Sequence, residues 1–197
     1  MVSLYLGAPK AGKSTLMRAH VLELAAGRDA PLFFIVDHDD TWGELVLATK
    51  GRIYRDVKGW WANPNRVAVF QTVPPVQVVE LAIGAGWSCY VDDEVDHVLG
   101  AGPWPKNPLR RVVKEGRHLK NRAGEVTPVS AMLATHRPAN LPPDILGTFS
   151  RVYVGRLQGF SDAERVYREG WLPAARSVLE VRAELETREP GEFTVWP

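Results

Sequence analysis

Gly7-Ala8-Pro9-Lys10-Ala11-Gly12-Lys13-Ser14, with Thr15 behind it, fits the pattern G-x-x-x-x-G-K-[S/T]. Glycines at both ends let the backbone curl so that successive N–H groups face one anion, and a helix starting at Lys13 adds its partial positive charge. Lys13 is expected to reach the β- and γ-phosphates of a nucleoside triphosphate, and Ser14 to offer its hydroxyl to Mg²⁺. Gly7 through Thr15 are therefore the expected nucleotide-binding set. Lys10 is extra to the minimal motif and reads equally as a phosphate contact or a solvated side chain.

A second set of chemical groups follows an apolar run, Trp87-Ser88-Cys89-Tyr90-Val91-Asp92-Asp93-Glu94. Carboxylates at the end of a strand beside a phosphate loop can hold Mg²⁺, and a following glutamate can polarise the attacking water. Asp93 is assigned to the metal and Glu94 to the water, with Asp92 as the alternative ligand. A third buried run, Pro128 to Ala134, ends in Thr135-His136-Arg137-Pro138, and Thr135 and His136 are candidate sensors of the γ-phosphate.

These groups need strands and helices to carry them. Apolar runs bounded by turn residues predict strands at Val2–Leu6, Leu32–Asp37, Val67–Phe70, Ser88–Asp92, Val129–Thr135, Arg151–Val154 and Phe193–Trp196. Helices are expected at Lys13–Ala26, Val76–Ala82, Leu109–Lys120, Asp162–Arg168 and Ala174–Glu186. Leu16, Ala19, His20 and Leu24 are read as the buried stripe of the first helix. Runs apolar on both faces, such as Leu32-Phe33-Phe34-Ile35-Val36, fit a mostly parallel sheet covered by helices on each side. Proline-rich breaks at Pro74-Pro75, Pro103–Pro108 and Pro142-Pro143 read as loops within one domain.

Composition bounds the classes. The 197 residues suit one domain with a sizeable core, or one domain with a small appendage, and contents of 45% hydrophobic and 24% charged are ordinary for a globular protein. No apolar run is long enough to span a bilayer, and the start lacks a signal-peptide pattern, so a cytoplasmic, unsecreted protein is expected. Cys89 stands alone, which excludes a disulfide framework and a thiolate metal site. The net charge of +1 hides asymmetry, since Lys106 to Arg122 holds seven Lys/Arg against one acid, Glu115. Two segments could meet a phosphate backbone without reading bases. One is Lys50 to Trp61, basic and aromatic, read as a glycine-permitted mobile loop. The other is Lys106–Arg122, whose Leu109, Val112, Val113, Gly116 and Leu119 would face inward and leave Arg110, Lys114 and Arg117 exposed. Trp104, between two prolines, is a candidate partner anchor or a local plug.

Taken together, four pieces resemble the FtsK–HerA superfamily of DNA-pumping P-loop ATPases: GAPKAGKST at 7–15, FFIVDHDDTWGE at 33–44, CYVDDEVD at 89–96, and EGRHLKNRAGEVTPVSAMLATHRPANLPPDI at 115–145. Phe149–Glu164 and Pro190-Gly191-Glu192-Phe193 resemble the strands that follow. By size the chain is similar to the genome-packaging ATPases of tailless, membrane-containing double-jelly-roll viruses. The resemblance implies a single RecA-like (ASCE) P-loop NTPase domain over 1–197, ATP and Mg²⁺ as cofactors, and pumping of double-stranded DNA. It further implies a homo-oligomeric ring, a hexamer, with capsid or membrane-vertex proteins as further partners and a host-cytoplasmic or virion-associated location. Arg117 matches the arginine of the family's Gly-Arg-His segment and so looks like a finger reaching a neighbouring subunit's nucleotide. His136 departs from the family's usual glutamine. A small P-loop nucleotide or metabolite kinase, closing Arg110, Arg111 and Arg117 over its substrates, is the alternative from another class. A nucleotide-gated conjugation or secretion ATPase is the third.

Overall fold

The computed structural model describes residues 1–96, 98 and 107–197. The chain runs β1 (Val2–Leu6), α1 (Lys13–Ala25), β2 (Leu32–Asp37), α2 (Gly43–Thr49), β3 (Arg52–Tyr54), α3 (Val57–Ala62), β4 (Val67–Gln71), α4 (Pro75–Ala85) and β5 (Ser88–Asp92). It continues through α5 (Pro108–Glu115), β6 (Val129–Thr135), β7 (Arg151–Val154), α6 (Phe160–Arg168), α7 (Val178–Thr187) and β8 (Thr194–Trp196). Trp104, Lys106 and the start of the Pro103–Pro108 break lie outside the described residues.

The strands form one sheet in the order β3-β4-β2-β5-β6-β1-β7-β8. All neighbours pair parallel except β8, which runs antiparallel to β7. Side chains alternate between two cores, as the two-residue period of a strand requires. Leu4, Leu6, Phe34, Val36, Tyr90 and Leu133 face α4, α5, α6 and α7. Tyr5, Phe33, Ile35, Val91, Met132 and Tyr153 face α1 and α2. The expected mostly parallel sheet with helices on both faces is therefore the observed one. No helix among the described residues is long and apolar enough to cross a membrane.

Several local expectations are corrected. The buried stripe of α1 is Lys13, Met17 and Val21, spaced by four, with Leu16 on its flank, while Ala19 and Leu24 are exposed. Lys50 to Trp61 is not a loop. It holds β3 on the sheet edge and α3, whose start is capped by Asp56 accepting from Gly59 N at 2.7 Å. Helix α5 stops at Glu115 rather than Lys120, because Gly116 runs against β6: its carbonyl accepts from Val129 N at 2.7 Å, and a Cβ there would lie 2.3 Å from Val129 O. Its inward face is as expected, with Leu109, Val112, Val113 and Leu119 buried. Arg110 and Lys114, however, are half-buried and bind Asp144 at 3.8 and 2.5 Å. Helix α7 begins at Val178, not Ala174, with Ser177 capping it by accepting from Glu180 N at 3.2 Å.

Candidate functional site

The turn from β1 into α1 is held at three points. Ala8 N donates to Arg156 O at 2.6 Å, Gly7 N donates to Thr135 O at 3.3 Å, and Gly191 N donates to Ala11 O at 3.0 Å. Lys10 and Gly12 take left-handed backbone, with φ of 63° and 91°. At Gly12 a side chain would be strained, and its Cβ would lie 3.0 Å from Gly191 N. No side chain caps α1, so the first N–H groups of the helix are left for an anion.

Lys13 is 4% exposed, and its Nζ donates to Gly7 O at 2.7 Å and Ala8 O at 3.1 Å. Burial lowers its pKa to about 8, against the upward pull of Asp93, Asp96 and Glu94. Ser14 Oγ donates to Asp93 Oδ2 at 3.1 Å. Burial raises the Asp93 carboxyl above its ordinary range, and the Ser14 bond opposes that shift. His136 Nδ1 lies 2.8 Å from Lys13 Nζ and 3.2 Å from Gly7 O. Thr135, the other candidate, is fully buried and turned away: its hydroxyl donates to Asp96 at 2.5 Å and accepts from Arg137 N at 2.9 Å.

An open cleft of about 400 Å³ joins these groups, lined by Pro9, Lys10, Gly12, Lys13, Ser14, Thr15, Arg18, Asp39, Asp93, Glu94 and His136. It sits at the carboxyl ends of β1, β5 and β6, where open parallel sheets bind ligands. Strand β6 separates β1 from β5, so His136 stands between the phosphate loop and the acidic tip. A second cleft, of about 580 Å³, shares Pro9, Glu94 and His136 and extends to Asp96, Arg137 and Gln158. The uncapped helix end and buried lysine suit a polyphosphate. The serine hydroxyl facing a carboxylate is a hard-oxygen pair of the kind Mg²⁺ prefers.

Arg117 is not part of this cleft. It is exposed and lines a separate hollow with Met1, Val2, Val129 and Ser150, at the amino ends of the strands. Five-residue strands at about 3.3 Å per residue put roughly 16 Å of sheet between the two ends. The two segments singled out for their basic and aromatic residues do meet: the Arg122 guanidinium lies 5.5 Å from the Trp61 ring centroid.

Sequence reasoning missed several groups. Asp37, buried at the end of β2, accepts from Thr41 N at 2.9 Å and Gln71 Nε2 at 3.2 Å, and so shapes the loop that brings Asp39 to the cleft. His38 Nε2 lies 3.0 Å from Asp92 Oδ1. Arg18 donates to Ser14 O at 3.2 Å and Thr41 O at 3.0 Å, and its spacing of four from Ser14 was the available signal. Cys89 is a buried free thiol whose pKa burial pushes up to about 11, so it is chemically quiet.

This sheet order, with its phosphate loop after β1 and its acids after β5, is a RecA-like P-loop NTPase fold. The genome packaging NTPase B204 from Sulfolobus turreted icosahedral virus 2 has a similar structure. In complex with AMPPCP it matches with a TM-score of 0.71 at 14% identity, over 98% of this chain and 90% of that one. In complex with ATP-gammaS the values are 0.70 and 15%, over 99% and 90%. B204, the DNA-packaging ATPase from Sulfolobus turreted icosahedral virus, matches with a TM-score of 0.69 at 13% identity, over 98% and 90%. No family model matches the chain, and no curated protein matches it in sequence. At such identities the fold is what these proteins share.

Proposed function

We propose that this protein is an ATP-hydrolysing translocase of double-stranded DNA, and within that class a viral genome-packaging motor working in the host cytoplasm or on the virion. The observation that carries the reading is the convergence of Lys13, Ser14, Asp93, Glu94 and His136 on one cleft at the carboxyl edge of the sheet. The similarity in fold to B204, described as a genome packaging NTPase and as a DNA-packaging ATPase, supports the choice of task.

In this reading Gly7 through Thr15 wrap the triphosphate, with backbone N–H groups as donors and Lys13 released from the Gly7 and Ala8 carbonyls onto phosphate oxygens. Ser14 and Asp93 would hold Mg²⁺, whose charge would offset that of the triphosphate. Glu94 orients the attacking water and takes its proton. His136 lies against Lys13 and reports the state of the γ-phosphate to β6. Arg117 acts on a neighbouring copy, since its own cleft is at the other end of the strands. That requirement supports a homo-oligomeric ring, for which the resemblance implies six subunits. Exposed cations around Trp61, Lys120 and Arg122 are the proposed contact with the phosphate backbone of DNA. The kinase alternative would close Arg110, Arg111 and Arg117 over the phosphate loop. Arg110 is instead tied to Asp144, and Arg117 lines the hollow at the amino ends of the strands.

The test is ATP turnover of assembled protein with and without duplex DNA at low salt. Stimulation by DNA that fades as salt rises is expected. Turnover indifferent to DNA refutes translocation, and phosphoryl transfer to a nucleoside monophosphate in a coupled assay would establish the kinase instead.

A further inference from the structure

Asp92 ends β5 and two further acids follow it, and of the three only Asp93 and Glu94 line the candidate nucleotide cleft. Asp92 is fully buried, and its carboxylate is filled from three directions. The Tyr90 hydroxyl donates to Oδ2 at 2.6 Å, the Glu94 backbone N–H donates to Oδ1 at 3.0 Å, and His38 Nε2 lies 3.0 Å from the same Oδ1. A carboxyl oxygen already taken by the Glu94 N–H accepts again here, with His38 Nε2 as the donor. A carboxylate with no exposure is tolerated only when its lone pairs are occupied in this way.

Register explains the arrangement. Val36 of β2 pairs with Asp92, so His38, just past the end of β2, stands above the end of β5. Tyr90 precedes Asp92 by two residues and shares its face of the strand. The bond from Glu94 N–H closes a turn in which Asp93 points to Ser14 and Glu94 enters the cleft. A carboxylate free to rotate would let that turn pivot, and displacing a catalytic group by about 1 Å can cost on the order of 10²-fold in rate.

Resting on the reading that Glu94 activates water, we infer that His38 and Tyr90 are positioning residues that hold Glu94 in place through Asp92. Asp92 is thus the anchor of the acidic turn rather than a metal ligand. His38 also ties the tip of β2, whose next residue Asp39 lines the cleft, to the tip of β5.

The experiment compares His38→Ala, His38→Gln and Tyr90→Phe with the unmodified full chain. Three quantities are read: kcat for ATP, affinity for a fluorescent ATP analogue, and amide hydrogen exchange at Glu94 with Val91 as the in-strand control. His38→Ala and Tyr90→Phe are expected to lower kcat about 10- to 100-fold with affinity within about twofold. Exchange at Glu94 should quicken at least about tenfold while Val91 stays unchanged. His38→Gln, whose amide can donate toward the same oxygen, should recover part of both effects. Unchanged kcat, or unchanged exchange at Glu94, in His38→Ala overturns the assignment. So does equal acceleration at Val91, which would mean that the strand itself has loosened. If the unmodified protein binds ATP and never hydrolyses it, the reading of Glu94 fails, and exchange at Glu94 still decides whether the clamp exists.

Discussion

Ser14 Oγ and Asp93 Oδ2 meet at 3.1 Å, joining the first turn of α1 to the tip of β5 across the intervening strand β6. Both groups belong to the same candidate Mg²⁺ site, so losing either should be felt through the metal. Asp93→Ala is expected to raise the Mg²⁺ concentration needed for half-maximal turnover at least about tenfold and to lower kcat about 10²-fold. Ser14→Ala should act in the same direction and more weakly. A magnesium titration of ATP turnover checks both, and an unchanged midpoint in Asp93→Ala would remove Asp93 from the metal site.

Glu94→Gln should keep ATP affinity within about threefold while lowering kcat about 10²- to 10⁴-fold, the usual worth of a positioned general base. Single-turnover hydrolysis beside equilibrium binding separates the two. Normal hydrolysis by Glu94→Gln would transfer the base role to Asp93.

Lys13 supplies a pH-dependent prediction. Burial lowers its pKa in the folded chain from 10.5 to about 8. Between those values the unfolded state binds more protons, so Lys13 makes stability rise with pH across that window, and its penalty is constant below it. A triphosphate beside the ammonium pulls the pKa back up. Binding of ATP at about pH 9 should therefore take up most of one proton, and at about pH 7 very little. Calorimetry in buffers of different ionisation enthalpy measures this uptake, and buffer-independent heats at the higher pH would contradict it. Lys13→Ala should weaken ATP binding about 10- to 100-fold, the range of one or two charge-assisted hydrogen bonds.

Arg117 is expected to act only across a subunit boundary. Arg117→Ala should lower turnover about 10³-fold, as loss of a finger does, and leave ATP affinity near normal. Lys13→Ala and Arg117→Ala chains, each inactive, should regain part of the activity when mixed before assembly. A mixture as inactive as its parents would remove Arg117 from that role.

Gly116 tests the fold rather than the chemistry. Gly116→Ala places a Cβ 2.3 Å from Val129 O and 2.6 Å from Val112 O, both backbone atoms that cannot swing aside. A loss of about 1–3 kcal/mol or more is expected from overpacking, seen as a lower denaturant midpoint. Gly147→Ala, where a Cβ meets nothing within 4 Å, is the control.

What the sequence carried openly was local. The phosphate loop needs glycines, a lysine and a hydroxyl within one short stretch, so its chemistry was readable before any fold was known. The seven strands it predicted are all strands of the sheet. The eighth, β3, escaped because it is three residues long on an edge, with Arg52 and Ile53 exposed. Helix α3 escaped because Gly59 sits inside it and an Asp56 cap starts it, a pair that also reads as a turn. The stripe of α1 was misplaced because the helix has almost no amphipathic contrast: Leu22 and Leu24 are exposed beside buried Met17 and Val21. The partners of Asp92 were invisible for a different reason. They depend on β2 lying next to β5 with Val36 opposite Asp92, and strand order is a property of the whole sheet.

The place of β1 between β6 and β7 also sets a timetable for synthesis. Its five residues find their hydrogen-bonding neighbours only at 129–135 and 151–154. A nascent chain halted before the second half emerges from the ribosome owns every glycine and the lysine of the phosphate loop, yet has no walls to brace them. The walls of the candidate nucleotide cleft thus close late, since β1 must wait for partners more than a hundred residues further along the chain.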